Sequence, residues 1–233
     1  MNRQTRLGQH FLHSASIAKE IVSEARITRN DTVFELGTGL GILTPLLCKK
    51  AGRVISIDAD RNLISAATTA MSGIKNLVLV AGDGLKSTDP FTIFVSNLPY
   101  SKSRDIMEWL ALRSFSHGVV MVQKEFADKL MADISGRRAV SIITNYAFEM
   151  RHISNVDRNN FSPPPRVDSV ILYLKKKNTM TRNQIQTINR IFSYRRKTIR
   201  NIFRQFDRDS DMDGRLDDMT GDEIVHLADE ILR

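Results

Sequence analysis

Short apolar runs bounded by turn residues alternate along this chain with stretches whose apolar residues return every three or four positions. The first kind predicts buried strands and the second amphipathic helices. Ser14 or Ser16 can cap a helix carrying Ile17, Ile21, Val22 and Ala25 on one face. A strand is expected at 32–35, and beyond it Ile42, Leu43, Leu46 and Leu47 recur at helical spacing. Further strands are predicted at 54–58, 77–81, 92–96 and 119–122. Helices are predicted at 62–70, 104–112 and 125–133, with mixed structure to Ile153. Strands and helices alternating at this spacing predict an α/β fold with a doubly wound, mainly parallel sheet.

Towards the C-terminus the pattern changes. Phe161-Ser-Pro-Pro-Pro-Arg-Val-Asp-Ser169 is too proline-rich for regular structure, so a stiff, extended loop is expected before a strand at 170–174. Lys175-Lys-Lys-Asn-Thr179 is a polar break that predicts a domain boundary, with one domain over 1–176 and a small basic helical domain over 177–233. Thr181 caps an amphipathic region reaching Phe206, its apolar side formed by Ile185, Ile188, Phe192, Ile199, Ile202 and Phe206. A last helix is predicted at 222–232.

Charge narrows the function. The 233 residues carry a net charge of +8 with 42% hydrophobic residues, and the pI near 9.8 points to a polyanionic partner, nucleic acid first. The excess is local: residues 175–208 hold eleven Lys and Arg against one acid, Asp207, whereas the tail from Asp209 has nine acids and two basic residues. Phosphate contacts are therefore expected in 175–208. Asp209-x-Asp211-x-Asp213-Gly214 copies the opening of a calcium-binding EF-hand loop, but Thr220 stands where the loop needs its bidentate Glu, so an acidic connecting loop is the expectation. Cys48, the one cysteine, sits on an apolar helix face and excludes an internal disulfide. Beyond the His10/His13 pair, which alone reads as incidental, the histidines show no metal-ligand spacing, and no metal is expected. No apolar run approaches a membrane span and no signal-peptide core is seen, so a soluble cytoplasmic protein is expected.

The candidate chemistry lies at the strand ends. Gly37-Thr-Gly-Leu-Gly41 follows the first strand of the sheet, where open α/β sheets bind nucleotides. The dinucleotide pattern would need glycine at position 42, which is Ile42; the G-x-G-x-G form behind Glu35 is closer to the S-adenosylmethionine turn of methyltransferases. Asp58 ends the second strand, placed to accept from both hydroxyls of a ribose. Asp83 follows the third and could accept from an adenine amino group or merely make a turn. Asn97-Leu98-Pro99-Tyr100 follows the fourth and resembles the [Asn/Asp]-x-Pro-[Tyr/Phe] motif of methyltransferases acting on exocyclic amines. An adenine N6 lone pair is delocalised into the ring. The Asn97 side-chain carbonyl and a main-chain carbonyl such as that of Leu98 can bind both N6 hydrogens and aim the lone pair at a sulfonium methyl. Tyr100 offers a flat face for the base, worth roughly 1–3 kcal/mol.

On these residues the chain resembles the ribosomal RNA adenine dimethyltransferase family, which includes the small-subunit rRNA dimethylases and the erythromycin-resistance methylases. Further markers are Gly8-Gln-His-Phe-Leu12, V-Q-K-E-F-A at 122–127, F-S-P-P-P-R-V-D-S at 161–169 and F-S-Y-R-R-K-T-I-R-N at 192–201. The last resembles the small-subunit branch. The resemblance implies a Rossmann-like methyltransferase fold with S-adenosylmethionine as methyl donor and no metal. His10 and Leu12 would close over the cofactor and Gly37 contact its methionine end; Asp58 would hold the ribose and Asp83 the adenine. Asn97 would touch both cofactor and target amine, and Tyr100 and Phe161 would sandwich a flipped adenine. Arg195, Arg196, Lys197 and Arg200 would hold rRNA. The implied reaction is dimethylation of two adjacent adenines near the 3′ end of small-subunit rRNA in ribosome biogenesis, by a monomer acting on a partly assembled subunit.

This sequence departs from the family at several points. His10 stands where the bacterial branch usually has Asn, Asp58 where it has Glu, and Thr38 replaces a common Pro. Gly136-Arg-Arg-Ala-Val140 lacks an expected tyrosine. Two other readings compete: a non-catalytic RNA-binding assembly or transcription factor on the same fold, and a large-subunit rRNA methylase conferring antibiotic resistance. The intact Asn97–Tyr100 motif argues against the first, and the 192–201 segment against the second.

Overall fold

The computed structural model describes residues 10–132 and 137–233. Gly8 and Gln9 of the marker at 8–12, the helix end expected at Asp133 and Gly136 of the departing segment lie outside them.

Nine strands are present among the described residues: β1 (Phe11–Leu12), β2 (Thr32–Leu36), β3 (Arg53–Asp58), β4 (Leu77–Ala81), β5 (Ile93–Asn97), β6 (His117–Gln123), β7 (Phe148–Val156), β8 (Phe161–Ser162) and β9 (Ser169–Lys176). Seven form one sheet in the order β4-β3-β2-β5-β6-β9-β7. Parallel pairing runs from β4 to β6, and β9 joins β6 antiparallel. The chain winds outward through β2, β3 and β4, then returns to lay β5 on the other flank of β2. The point where winding reverses is where such sheets leave a crevice at the strands' carboxyl ends. This is the expected doubly wound sheet of the Rossmann-like methyltransferases.

Side chains alternate across the sheet. Val33, Val54, Ile93, Val95, Val119 and Met121 bury one face against Ala18, Ile21, Val22, Leu47 and Cys48. Phe34 and Phe94 point to the other face and cluster with Phe91 and Phe115, ring centroids 5.1–6.1 Å apart. Helix Ala15–Glu24 starts at Ser14, whose hydroxyl accepts from the Ile17 amide, and helix Arg61–Ala70 starts at Asp60, whose carboxylate accepts from the Asn62 amide.

By its contacts the chain divides into two compact units. One runs to Ile106 and adds Ser114–Lys124 and Met150–Lys176; the other takes Met107–Arg113, Glu125–Glu149 and Lys177–Arg233. Two internal segments thus join the C-terminal residues beyond the boundary read from the polar break. In this second unit, helices Ala139–Ala147, Arg182–Ser193 and Gly221–Leu232 pack on one another. The last two begin with reciprocal caps, Thr181 with Gln184 and Thr220 with Glu223.

Two expectations are corrected. Phe161–Ser162 is regular after all: it pairs antiparallel with Phe11–Leu12, Phe11 opposite Ser162 and Leu12 opposite Phe161. The region 181–206 is not one continuous helix. It breaks after Ser193, and a new helix, Ile199–Phe203, starts at Thr198. Ile191 and Phe203 join Ile185, Ile188, Ile199 and Ile202 in the core, while Phe192 and Phe206 are half-buried.

Candidate functional site

The carboxyl ends of β2 to β5 line a cleft of about 910 Å³ in the first unit, a size suited to a small-molecule ligand. Leu36, Gly37 and Gly39 come from the turn after β2, Ile57 to Asn62 from β3, Gly82 to Leu85 from β4, and Asn97 to Lys102 from β5. His10 and Phe11 complete it from the chain start.

The glycine turn is shaped by positive φ, +88° at Gly37 and +55° at Gly39, where a side chain would be strained. The Gly37 amide bonds the Ile57 carbonyl at 2.7 Å. Asp58 holds the turn: its Oδ2 accepts from the Gly39 amide at 2.9 Å and its Oδ1 from the Asp60 amide at 2.9 Å. A carboxylate offers about four acceptor sites, so two amide bonds leave capacity for a ligand's hydroxyls. Asp83 lines the cleft with one oxygen accepting from the Leu85 amide at 3.1 Å.

Asn97 terminates β5 in the cleft wall, and its side-chain Oδ1 is buried without a hydrogen-bond partner among the described residues. A buried, unmade bond of this kind is costly, and its position marks a place for a ligand donor. Leu98 also lines the cleft, its amide tied to the Met121 carbonyl at 3.0 Å. Tyr100 is held at both ends: its hydroxyl bonds the buried Ser169 Oγ at 2.6 Å, and His10 stacks on its ring with centroids 5.8 Å apart. Burial raises the Tyr100 phenol above its ordinary value and the Ser169 bond opposes part of that rise, so the ring stays neutral. His10 is itself tethered, Nδ1 to the Pro163 carbonyl at 2.7 Å.

Two expected site residues are elsewhere. Leu12 and Phe161, paired across the two-stranded ribbon, are 4% and 2% exposed in the main core and do not line the cleft. The ribbon turns both inward and leaves His10, expected beside Leu12, at the cleft. His10, Gly37, Asp58, Asp83, Asn97, Leu98 and Tyr100 are the sequence-predicted residues that the cleft brings together.

Behind the turn lies a cluster that sequence reasoning missed. Glu35 is fully buried, its Oε2 accepting from Thr44 at 2.7 Å and Ser56 at 2.6 Å, while Oε1 has no partner among the described residues. Thr38 closes the set through Ser56 at 2.6 Å. Burial pushes the Glu35 carboxyl up to about 7 against the two hydroxyl bonds, with the Asp58 charge adding to the rise. The only sequence signals were an acid inside an apolar strand and hydroxyls at 38, 44 and 56. Cys48 is buried, its thiol pushed up to about 11, first by burial and then by Glu35.

The second unit carries the basic residues at its elbow, between helices Arg182–Ser193 and Ile199–Phe203. Arg196 and Lys197 are exposed and form no ion pair among the described residues. Arg195 pairs with Asp217 at 2.8 Å and also donates to the Arg137 carbonyl; Arg200 pairs with Asp213 at 3.1 Å. Thr220 serves as a helix cap, and no group of three or more possible metal ligands is found among the described residues.

A model of the family described as "Ribosomal RNA adenine dimethylase" matches residues 1–217. The chain is 36% identical over 231 residues to the ribosomal RNA small subunit methyltransferase A of Thermotoga neapolitana, covering 95% of this chain and 88% of that protein. Its structure is similar to that of a dimethyladenosine transferase from Plasmodium falciparum, with a TM-score of 0.78, 27% identity, and coverage of 96% and 98% of the two chains. A 23S rRNA methyltransferase, ErmE, shares the fold at 22% identity and a TM-score of 0.67, covering 96% of this chain and 100% of that one.

Proposed function

The chain belongs to the ribosomal RNA adenine dimethylase family, and on that premise we propose that it dimethylates N6 of two adjacent adenines in a hairpin near the 3′ end of small-subunit rRNA. S-Adenosylmethionine would be the donor, and the enzyme would act as a cytoplasmic monomer on a partly assembled subunit during ribosome biogenesis. The carrying observation is the buried, unpartnered Oδ1 of Asn97 beside Tyr100 in a cleft at the switch point of the sheet.

The residues present fit this cofactor. Asp58 and Asp83 supply acceptors at the ends of adjacent strands, and the bare backbone of Gly37 allows close approach. When bound, the cofactor supplies a methyl group already activated by its sulfonium. The protein's own task is then positioning. Asn97 Oδ1 would accept one N6 hydrogen and the Leu98 main-chain carbonyl the other, which localises the nitrogen lone pair. Tyr100, fixed by Ser169, would stack the flipped base. Phe161, buried in the core, would not serve as the opposite face unless the ribbon moved. Arg196 and Lys197 would contact rRNA phosphates.

The test is transfer of tritiated methyl from S-adenosylmethionine to unmethylated small subunits and, separately, to large-subunit rRNA, followed by nucleoside analysis. N6,N6-dimethyladenosine from small subunits alone is expected. Label in large-subunit RNA would reassign the substrate. RNA binding with no label in either would leave a binding protein on this fold.

A further inference from the structure

The acidic tail is docked on the basic elbow, and the docking is specific. The Ile199 amide bonds the Gly214 carbonyl at 3.1 Å, Thr198 and Arg215 form an antiparallel bridge, and Arg215 donates to the Arg196 carbonyl at 3.1 Å. Leu216 is buried beneath, 2% exposed. This backbone register lays Asp213 on Arg200 and Asp217 on Arg195.

We propose that Asp213 and Asp217 are specificity-determining residues for RNA, occupying Arg200 and Arg195 as stand-ins for phosphate until a correctly shaped RNA displaces them. The inference rests on the reading of this elbow as an rRNA contact. Both pairs are open to water: the Asp213 and Asp217 side chains are 85% and 55% exposed and those of Arg200 and Arg195 44% and 27%. Exposed ion pairs are weak and exchange readily. A carboxylate in place still cancels most of the long-range pull of its arginine on passing polyanions. Since non-specific RNA binding is almost entirely that pull, an unrelated RNA meets at this elbow mainly Arg196 and Lys197. An RNA whose backbone fits the elbow gains Arg195 and Arg200 as well, by exchanging carboxylate for phosphate. The same segment that imitates an EF-hand opening therefore has a different use for Asp213, as a partner for a cation of its own chain.

The experiment measures binding of the full-length protein to two RNAs of equal length, a hairpin from the 3′ end of small-subunit rRNA and an unrelated hairpin, across a salt series. The variants are D213N/D217N, D209N/D211N and R196A/K197A, with thermal melting of each. Asp209 and Asp211 lie in the same segment and form no ion pair among the described residues, so their replacement changes net charge equally without freeing an arginine. D213N/D217N is expected to bind the unrelated hairpin several-fold more tightly at low salt, with a salt slope steeper by about 1–2, and to lose discrimination between the hairpins. D209N/D211N is expected to change much less. Unaltered or weaker binding of the unrelated hairpin by D213N/D217N would overturn the proposal, as would an equal gain from D209N/D211N. Failure of the underlying RNA reading looks different: R196A/K197A would then bind both hairpins as the parent does.

Discussion

Among the described residues nothing bonds the side-chain carbonyl oxygen of Asn97, and that makes its replacement informative. Asn97→Ala removes the acceptor without disturbing the amide ties of the flanking strand. Methyl transfer should fall to background while S-adenosylmethionine affinity, measured by calorimetry, falls only modestly; robust dimethylation by the variant would refute the role given to Asn97. Glu35 makes a second prediction. Its folded pKa of about 7 lies above the ordinary 4.5, so between those pH values the native state holds a proton that the unfolded chain has lost. Stability should therefore decline as pH rises from about 4.5 to 7 and stay at the lower level above that, by up to a few kcal/mol. Denaturant unfolding of Glu35→Gln across this range should show a flatter profile; an unchanged slope would assign the dependence to other groups.

At the scale of elements, the glycine turn and the ribbon do different jobs. The turn needs left-handed backbone at Gly37, which costs an alanine roughly 1–2 kcal/mol. Gly37→Ala should lower both melting temperature and cofactor affinity, and a variant with parental affinity would show the turn to be tolerant. The ribbon places His10 on Tyr100 and buries Leu12 and Phe161. Its pairing could not be read from the chain, because two-residue strands carry no periodicity and their partners stand about 150 residues apart. The break at Ser193 was hidden for a related reason: Ile185, Ile188, Phe192, Ile199, Ile202 and Phe206 recur at helical spacing on both sides of it, and only tertiary packing shows where the chain turns.

The whole molecule is a cation whose charge is unevenly used. With Arg195 and Arg200 engaged internally, Arg196 and Lys197 are the exposed pair. R196A/K197A should weaken rRNA binding and reduce the slope of log affinity on log salt by about 1–2, roughly one per lost phosphate contact, without lowering the melting temperature. Arg195→Ala should also destabilise the fold, since that side chain holds Asp217 and the Arg137 carbonyl. A thermal melt alongside a filter-binding series separates the two effects.

The sequence by itself determined that the sheet is doubly wound and mainly parallel, that a crevice lies at its strand ends, and which residues reach it: Gly37, Asp58, Asp83, Asn97 and Tyr100. These are local matters: apolar runs set strands, glycines set a turn, and the position of a polar residue after a strand puts it on the rim. Tertiary structure alone decided which groups are satisfied and which are left open. Asp58 is found to brace the turn, Asn97 Oδ1 to lack a partner among the described residues, Glu35 to sit buried among hydroxyls with a raised pKa, Phe161 to lie in the core and two of four expected RNA contacts to be held by aspartates. Each of these depends on atoms distant in the chain meeting at hydrogen-bond range, and neither residue type nor spacing encodes such meetings.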